Sequence, residues 1–138
     1  EFVMVSHISV SRVTETKEPA SMSELIMKTI LREELGFSGI VITDAFDMAS
    51  ITDDYTPGEA ALQSFMAGAD IILMPNDLTQ AYQAILNAVN SKKITQSRLD
   101  ESVIRILTTK FKHGILTQED LFRNSYNVIG ESIPSKRG

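Results

Sequence analysis

The sequence predicts an α/β architecture of three short parallel strands, each followed by a helix. Three observations carry this reading. The runs Phe2–Val5, Gly39–Thr43 and Asp70–Met74 are apolar without alternation, the pattern of strands buried on both faces. Each is followed, directly or after a polar loop, by apolar residues at helical spacing. Strand starts near Val3, Ile40 and Asp70 repeat every 30 to 37 residues, the size of one strand–helix unit. A complete eight-unit barrel takes about 250 residues. Three units are therefore a small open sheet or part of a barrel, and length alone leaves both open.

The elements follow in order. Residues 2–10 suit a buried strand running into a loop, and the polar stretch 11–20 closes on Pro19. Ser21 and Glu24 have capping-box spacing. The helix expected next places Leu25, Ile26, Ile30 and Leu31 on one stripe and stops at Gly36. After the strand at Gly39–Thr43, Thr56-Pro-Gly-Glu59 is a second capping box with proline in the first turn. Its helix is expected to end at Gly68. The strand Asp70–Met74 closes on Pro75, and Asp77 and Gln80 form a third box. The helix it opens is expected to turn Leu78, Ala81, Tyr82, Ile85, Leu86 and Val89 inward. A last helix starts near Thr95, with Leu99, Val103, Ile106, Leu107 and Phe111 at helical spacing, and ends at His113-Gly114. Residues 1–116 thus read as one folded region and 117–138 as a linker or tail.

Composition narrows the function classes. The 138 residues include no Cys, which excludes disulfides, thiolate metal sites and Cys nucleophiles within the chain, without fixing a compartment. A net charge of −5 argues against nucleic-acid binding through a dominant basic surface. No apolar run approaches the roughly 20 residues of a membrane helix. The chain has no initiating Met and opens inside the apolar run Phe2-Val-Met-Val5, as a piece cut from a larger protein would.

In parallel β/α proteins chemistry collects at the carboxyl ends of strands. That rule singles out Ser6-His7, Thr43-Asp44 and Pro75-Asn76. Asp44, placed directly after an apolar strand, has the position of a nucleophile, base or ligand; the plainer alternative is a loop cap. His7 can orient a ligand or be a satisfied interior imidazole. Met48 is a packing residue that can also line a pocket. Asp47, Asp53 and Asp54 read as loop carboxylates, though Asp44 with Asp47 leaves a metal-binding reading open. His113 reads as a partner of its helix dipole, and Arg98, Arg105, Lys110 and Lys112 as a solvated helix face. No zinc-ligand spacing, nucleophile elbow, dinucleotide fingerprint or phosphate loop is present.

Six stretches in order resemble glycoside hydrolase family 3. They are Val3-Met-Val-Ser-His-Ile8, Pro19-Ala-Ser-Met-Ser23, Leu31–Gly39, Ile40-Val-Ile-Thr-Asp-Ala-Phe-Asp-Met48, Ala67–Pro75 and Arg98–Leu107. The similarity is greatest to the β-N-acetylhexosaminidase branch and covers residues 2 to about 116. The resemblance implies a (β/α)8 TIM-type barrel of which this chain supplies the last three or so units. It implies Asp44 as the nucleophile of a retaining glycosidase; His7 and Met48 are expected as substrate-binding residues from their own positions near it. It implies a carbohydrate substrate with β-linked N-acetylglucosamine, such as a peptidoglycan fragment, with a β-glucoside as the alternative, and no cofactor or metal. The family's upstream Lys-His-containing stretch and its His–Asp acid/base loop are absent from this sequence, and His7 lies on the wrong segment to replace that acid. The isolated chain is therefore expected to be weakly active or inactive. It would act with a missing N-terminal half, or alternatively as a non-catalytic module that associates through its strand edges.

Overall fold

The computed structural model describes residues 1–120. The chain divides into two units, Glu1–Ile106 and a second beginning at Leu107. In the first, β1 (Phe2–Val5) and β2 (Ile40–Thr43) pair in parallel, with Val3 beside Val41 and Val5 beside Thr43. A short helix, α1 (Ser11–Thr14), interrupts the expected loop, and a 3₁₀ turn covers Ala20–Met22. A π-helix then spans Leu25–Glu34. It ends where Leu35 N–H bonds back to Ile30, and Gly36 takes the left-handed φ of +67° that favours glycine. The remaining helices are α2 (Ala49–Thr52), α3 (Pro57–Ala67), α4 (Leu78–Asn90) and α5 (Gln96–Lys112).

The third expected strand is reduced to one bridge, Ile42 beside Ile71. The ladder begins normally, with Asp70 and Ile71 N–H groups on the Val41 carbonyl and Thr43 N–H on the Ile71 carbonyl. It then changes hands: Leu73 donates to the Thr43 hydroxyl at 3.0 Å instead of to main chain. Met74 follows with φ +45°, which turns the backbone away from extended structure. The segment still lies as a third parallel run, but a side chain completes its pairing.

The two faces of the sheet are covered unequally, the second being buried at Ile40 of β2 but open along β1. Val5 and Val41 pack with Met27 of the π-helix and Ala67 of α3, and Val3, Ile26 and Leu31 border that cluster. Phe2 and Met4 point the other way and are 54% and 56% exposed. Parallel sheets are normally covered on both faces. A second cluster, Met22, Phe46, Ile51 and Ala60, closes the carboxyl end of β2, and a third joins α3 to α4 through Phe65, Ala88 and Ile94.

Two helix expectations require correction. Ser21 does not cap the π-helix: its hydroxyl is taken by His7, while Glu24 pairs with Lys28 on the surface. In α4 only Ala81 and Ala88 are buried; Leu78 and Tyr82 are 72% and 63% exposed. Helical spacing marks an apolar stripe but not what covers it. Here the stripe lines an open groove of about 450 Å³ with Phe65 and Ile72. The Thr56–Glu59 capping box forms in full, and Asp77 caps α4 by accepting the Gln80 N–H.

In the second unit α5 runs to Lys112, and Gly114 at φ +66° lets Ile115 N–H return to the Lys110 carbonyl. Residues 118–120 open a helical turn, with Thr117 and Asp120 exchanging hydrogen bonds across it. The rest of the tail expected over 117–138 lies outside the described residues.

Candidate active site

The carboxyl end of β2 gathers the three residues singled out in the sequence. Asp44 follows Thr43 directly, and its own N–H donates to the Val5 carbonyl, so the end of β1 holds its backbone. Asp44 Oδ1 accepts the Ala45 N–H at 2.8 Å. Its second oxygen, Oδ2, takes part in no hydrogen bond or ion pair among the described residues. Asp44 as a residue is half-buried. A carboxylate with one oxygen oriented by a backbone amide and the other uncommitted can attack an electrophilic carbon or accept a proton.

His7 lies two residues beyond β1 and reaches across to the loop after Asp44. Its Nε2 sits 3.0 Å from the Ala45 carbonyl and its Nδ1 2.7 Å from the Ser21 hydroxyl. Both ring nitrogens are thus engaged by protein, which leaves neither for a sugar hydroxyl in this arrangement. Its position at the strand end suggested a substrate contact; the geometry places it against the loop that follows Asp44. Met48 closes the turn Ala45–Met48, its N–H 3.4 Å from the Ala45 carbonyl, and its side chain is 45% exposed. Among the described residues no group of three or more His, Asp or Glu side chains could hold a metal ion, so the pairing of Asp44 with Asp47 gains no third ligand.

The opposite end of the strands holds a charged site that the sequence reading missed. The Asp70 carboxylate is fully buried and accepts from Arg32 Nη2 (2.7 Å), the Val41 N–H (3.0 Å), the Ser102 hydroxyl (2.6 Å) and Arg105 Nη1 (3.0 Å). Arg98 lies 3.8 Å away, bonds to Ser102 and to the Phe65 and Ala69 carbonyls, and covers the Phe65 ring at 4.4 Å. Burial pulls the Arg32 and Arg98 guanidinium groups below their ordinary value, and the charge of Asp70 opposes that shift. Arg98 and Arg105 are therefore not part of a solvated face. The available signal was Asp70 itself, a charged residue opening an apolar run, where a buried carboxylate must find cations.

Comparison with known proteins decides the family. Residues 1–109 match the glycosyl hydrolase family 3 N terminal domain. The chain belongs to glycosyl hydrolase family 3. Within the family it is 36% identical over 129 residues to beta-hexosaminidase A of Pseudoalteromonas piscicida, covering 80% of this chain and 22% of that protein. It is 29% identical over 122 residues to a beta-N-acetylglucosaminidase/beta-glucosidase of Cellulomonas fimi, covering 82% of this chain and 22% of that one. Its fold matches a family 3 beta-N-acetylglucosaminidase from Paenibacillus sp. str. FPU-7 with a TM-score of 0.80 and 33% identity, over 99% of this chain and 24% of the other. The α/β architecture is therefore that of family 3 N-terminal barrel domains. The chain spans about a quarter or less of each of these proteins.

Proposed function

We propose that this chain carries the nucleophile of a retaining glycosidase of β-N-acetylhexosaminidase type, and that the nucleophile is Asp44. The observation that carries the reading is the asymmetric setting of its carboxylate at the end of β2: Oδ1 is held by the Ala45 N–H and Oδ2 is uncommitted among the described residues. Oδ2 attacks the anomeric carbon of a terminal β-linked N-acetylglucosamine, as in a peptidoglycan fragment, and the aglycone oxygen leaves. Water then releases the sugar from the glycosyl-enzyme. Met48, exposed in the same turn, is the substrate contact this chain offers. Neither step calls for a cofactor or metal.

The acid that protonates the leaving oxygen comes, in this reading, from another part of the barrel. Three strand–helix units leave an apolar sheet face around Phe2 and Met4, and they leave the α4 groove open. An N-terminal half covers both in the assembled enzyme. The same uncovered surfaces favour a second reading, a non-catalytic module that associates with another copy. Within the enzymatic reading, the relative from Cellulomonas fimi, whose name joins two activities, keeps a β-glucoside in view as the alternative substrate.

The test is hydrolysis of a chromogenic N-acetyl-β-glucosaminide and a chromogenic β-glucoside by the chain, alone and with an N-terminal barrel half supplied in trans, beside Asp44→Asn. Turnover of the glucosaminide that needs the added half and drops by about 10⁴-fold or more in Asp44→Asn is the expected result. Equal turnover by Asp44→Asn would overturn the assignment. Preference for the glucoside would move the substrate but not the nucleophile.

A further inference from the structure

We infer that His7 is a positioning residue for Asp44, fixing through Ala45 the direction in which the free carboxylate oxygen points. The inference deepens the reading of Asp44 as nucleophile and rests on it. A carbonyl oxygen only accepts, so the 3.0 Å contact between Nε2 and the Ala45 carbonyl assigns the ring proton to Nε2. In the neutral ring Nδ1 is then the acceptor, and it takes the Ser21 hydroxyl proton at 2.7 Å. Ser21 is itself immobilised: it is fully buried, its N–H is on the Ser6 carbonyl, and its carbonyl receives the Ser64 hydroxyl at 2.6 Å. The imidazole also lies against the Phe46 ring, 5.1 Å between centroids, and Phe46 is buried with its N–H on Leu73.

Ala45 is the link. Its N–H holds Asp44 Oδ1 and its carbonyl is held by His7. A rotation of the loop that swings the carboxylate must also break the contact with an imidazole fixed at both nitrogens. This explains why a histidine with no free nitrogen stands beside the candidate nucleophile: it supplies one donor of fixed direction from a rigid ring, where a flexible side chain would supply a movable one. Such support matters because misplacing a reacting atom by about 1 Å can cost a hundredfold in rate.

The test compares His7→Phe, which loses the donor, with His7→Gln, whose amide nitrogen restores it. The probe is a 5-fluoro glycosyl fluoride of N-acetylglucosamine, offered to the full chain. Asp44 Oδ2 bonds to the anomeric carbon, the carbon–fluorine bond breaks, and fluoride leaves with the electron pair, so no acid is needed. Mass spectrometry of the Asp44 peptide gives the labelling rate. His7→Phe is expected to label about 10- to 100-fold more slowly than wild type, and His7→Gln to recover to within a few-fold. Equal labelling by His7→Phe and wild type overturns the inference. Amide exchange at Ala45 and Phe46 provides the readout that does not depend on chemistry: it accelerates in His7→Phe and stays as in wild type in His7→Gln. If wild type is not labelled at all, the nucleophile reading fails in the isolated chain, and unchanged exchange in His7→Phe then removes the positioning role as well.

Discussion

At the amino end of β2 Asp70 is fully buried and saturated, with both oxygens taken by four hydrogen bonds and three arginines around it. At the carboxyl end of the same strand Asp44 is half-buried and holds a single backbone N–H. The two residues share a chemistry and differ in what surrounds it. Asp70 ties the π-helix, β2 and α5 together, since Arg32 comes from the first, Val41 from the second and Arg105 from the third. Its hydrogen-bonding capacity is used up inside the protein. Asp44 has one oxygen uncommitted among the described residues, as the proposed nucleophile requires. A carboxylate whose capacity is fully used holds structure together, whereas one with an oxygen to spare at a strand end is open to the role proposed for Asp44.

Neutralising each aspartate without changing its shape should separate these roles most sharply. Asp70→Asn leaves three guanidinium groups around a neutral amide, with Glu101 beside Arg105 at 3.8 Å as a partly exposed countercharge, and removing one partner of a buried ion pair costs about 3–5 kcal/mol. Asp44→Asn keeps the oxygen that accepts the Ala45 N–H, and its stability should stay within about 0.5 kcal/mol of wild type. Urea unfolding followed by circular dichroism measures both. Comparable losses would show that Asp44 is a structural residue too, and the contrast between the two ends would collapse.

The sequence made these two ends unequally legible. Asp44 stood out because the apolar run Ile40, Val41 and Ile42 ends only one residue before it, at Thr43, and because parallel strands place function at their carboxyl ends. Its family resemblance pointed to the same residue. Asp70 occupies the mirror position, the first residue of an apolar run, yet its partners are 38, 28 and 35 residues away in Arg32, Arg98 and Arg105. No local pattern announces such pairing, and the 3.6-residue period of α5 gives Arg98 and Arg105 the look of a solvated side. Ser21 misled for a related reason. Its spacing to Glu24 fits a capping box, but a buried hydroxyl goes to the strongest nearby acceptor, and that is a histidine 14 residues earlier. The third strand was legible as a buried apolar segment. Its loss of regular pairing was not, because that depends on the Thr43 hydroxyl reaching a backbone N–H from the neighbouring segment.

Thr43 lies between the two ends and offers a test of intermediate size. Its side chain is buried and accepts the Leu73 N–H, so Thr43→Val preserves shape while orphaning that donor. An unsatisfied buried group costs about 1–3 kcal/mol. The loss should appear in urea unfolding and as faster amide exchange at Leu73 and Phe46, whose own N–H rests on the Leu73 carbonyl. A neutral Thr43→Val would mean that the 70–74 segment is held by its backbone hydrogen bonds and apolar contacts without the Thr43 hydroxyl.

The smallest expected effect comes from the capping box of α3, an exposed site that calibrates the other two. Hydrogen bonds from the Thr56 hydroxyl and backbone N–H hold the Glu59 carboxyl below its ordinary value. A group whose folded value is depressed stabilises the fold fully above the unfolded value, and that contribution is lost as pH falls through the folded one. The difference in melting temperature between wild type and Glu59→Gln should therefore be constant near neutral pH and should shrink as pH drops below the ordinary glutamate range. Asp70→Asn should stay far less stable than wild type at neutral pH, where the Glu59 contribution is fully present in both chains. A Glu59→Gln difference that instead grew on acidification would show that the carboxylate is strained in the cap, and that exposed charge in this chain follows a different rule from the buried charge at Asp70.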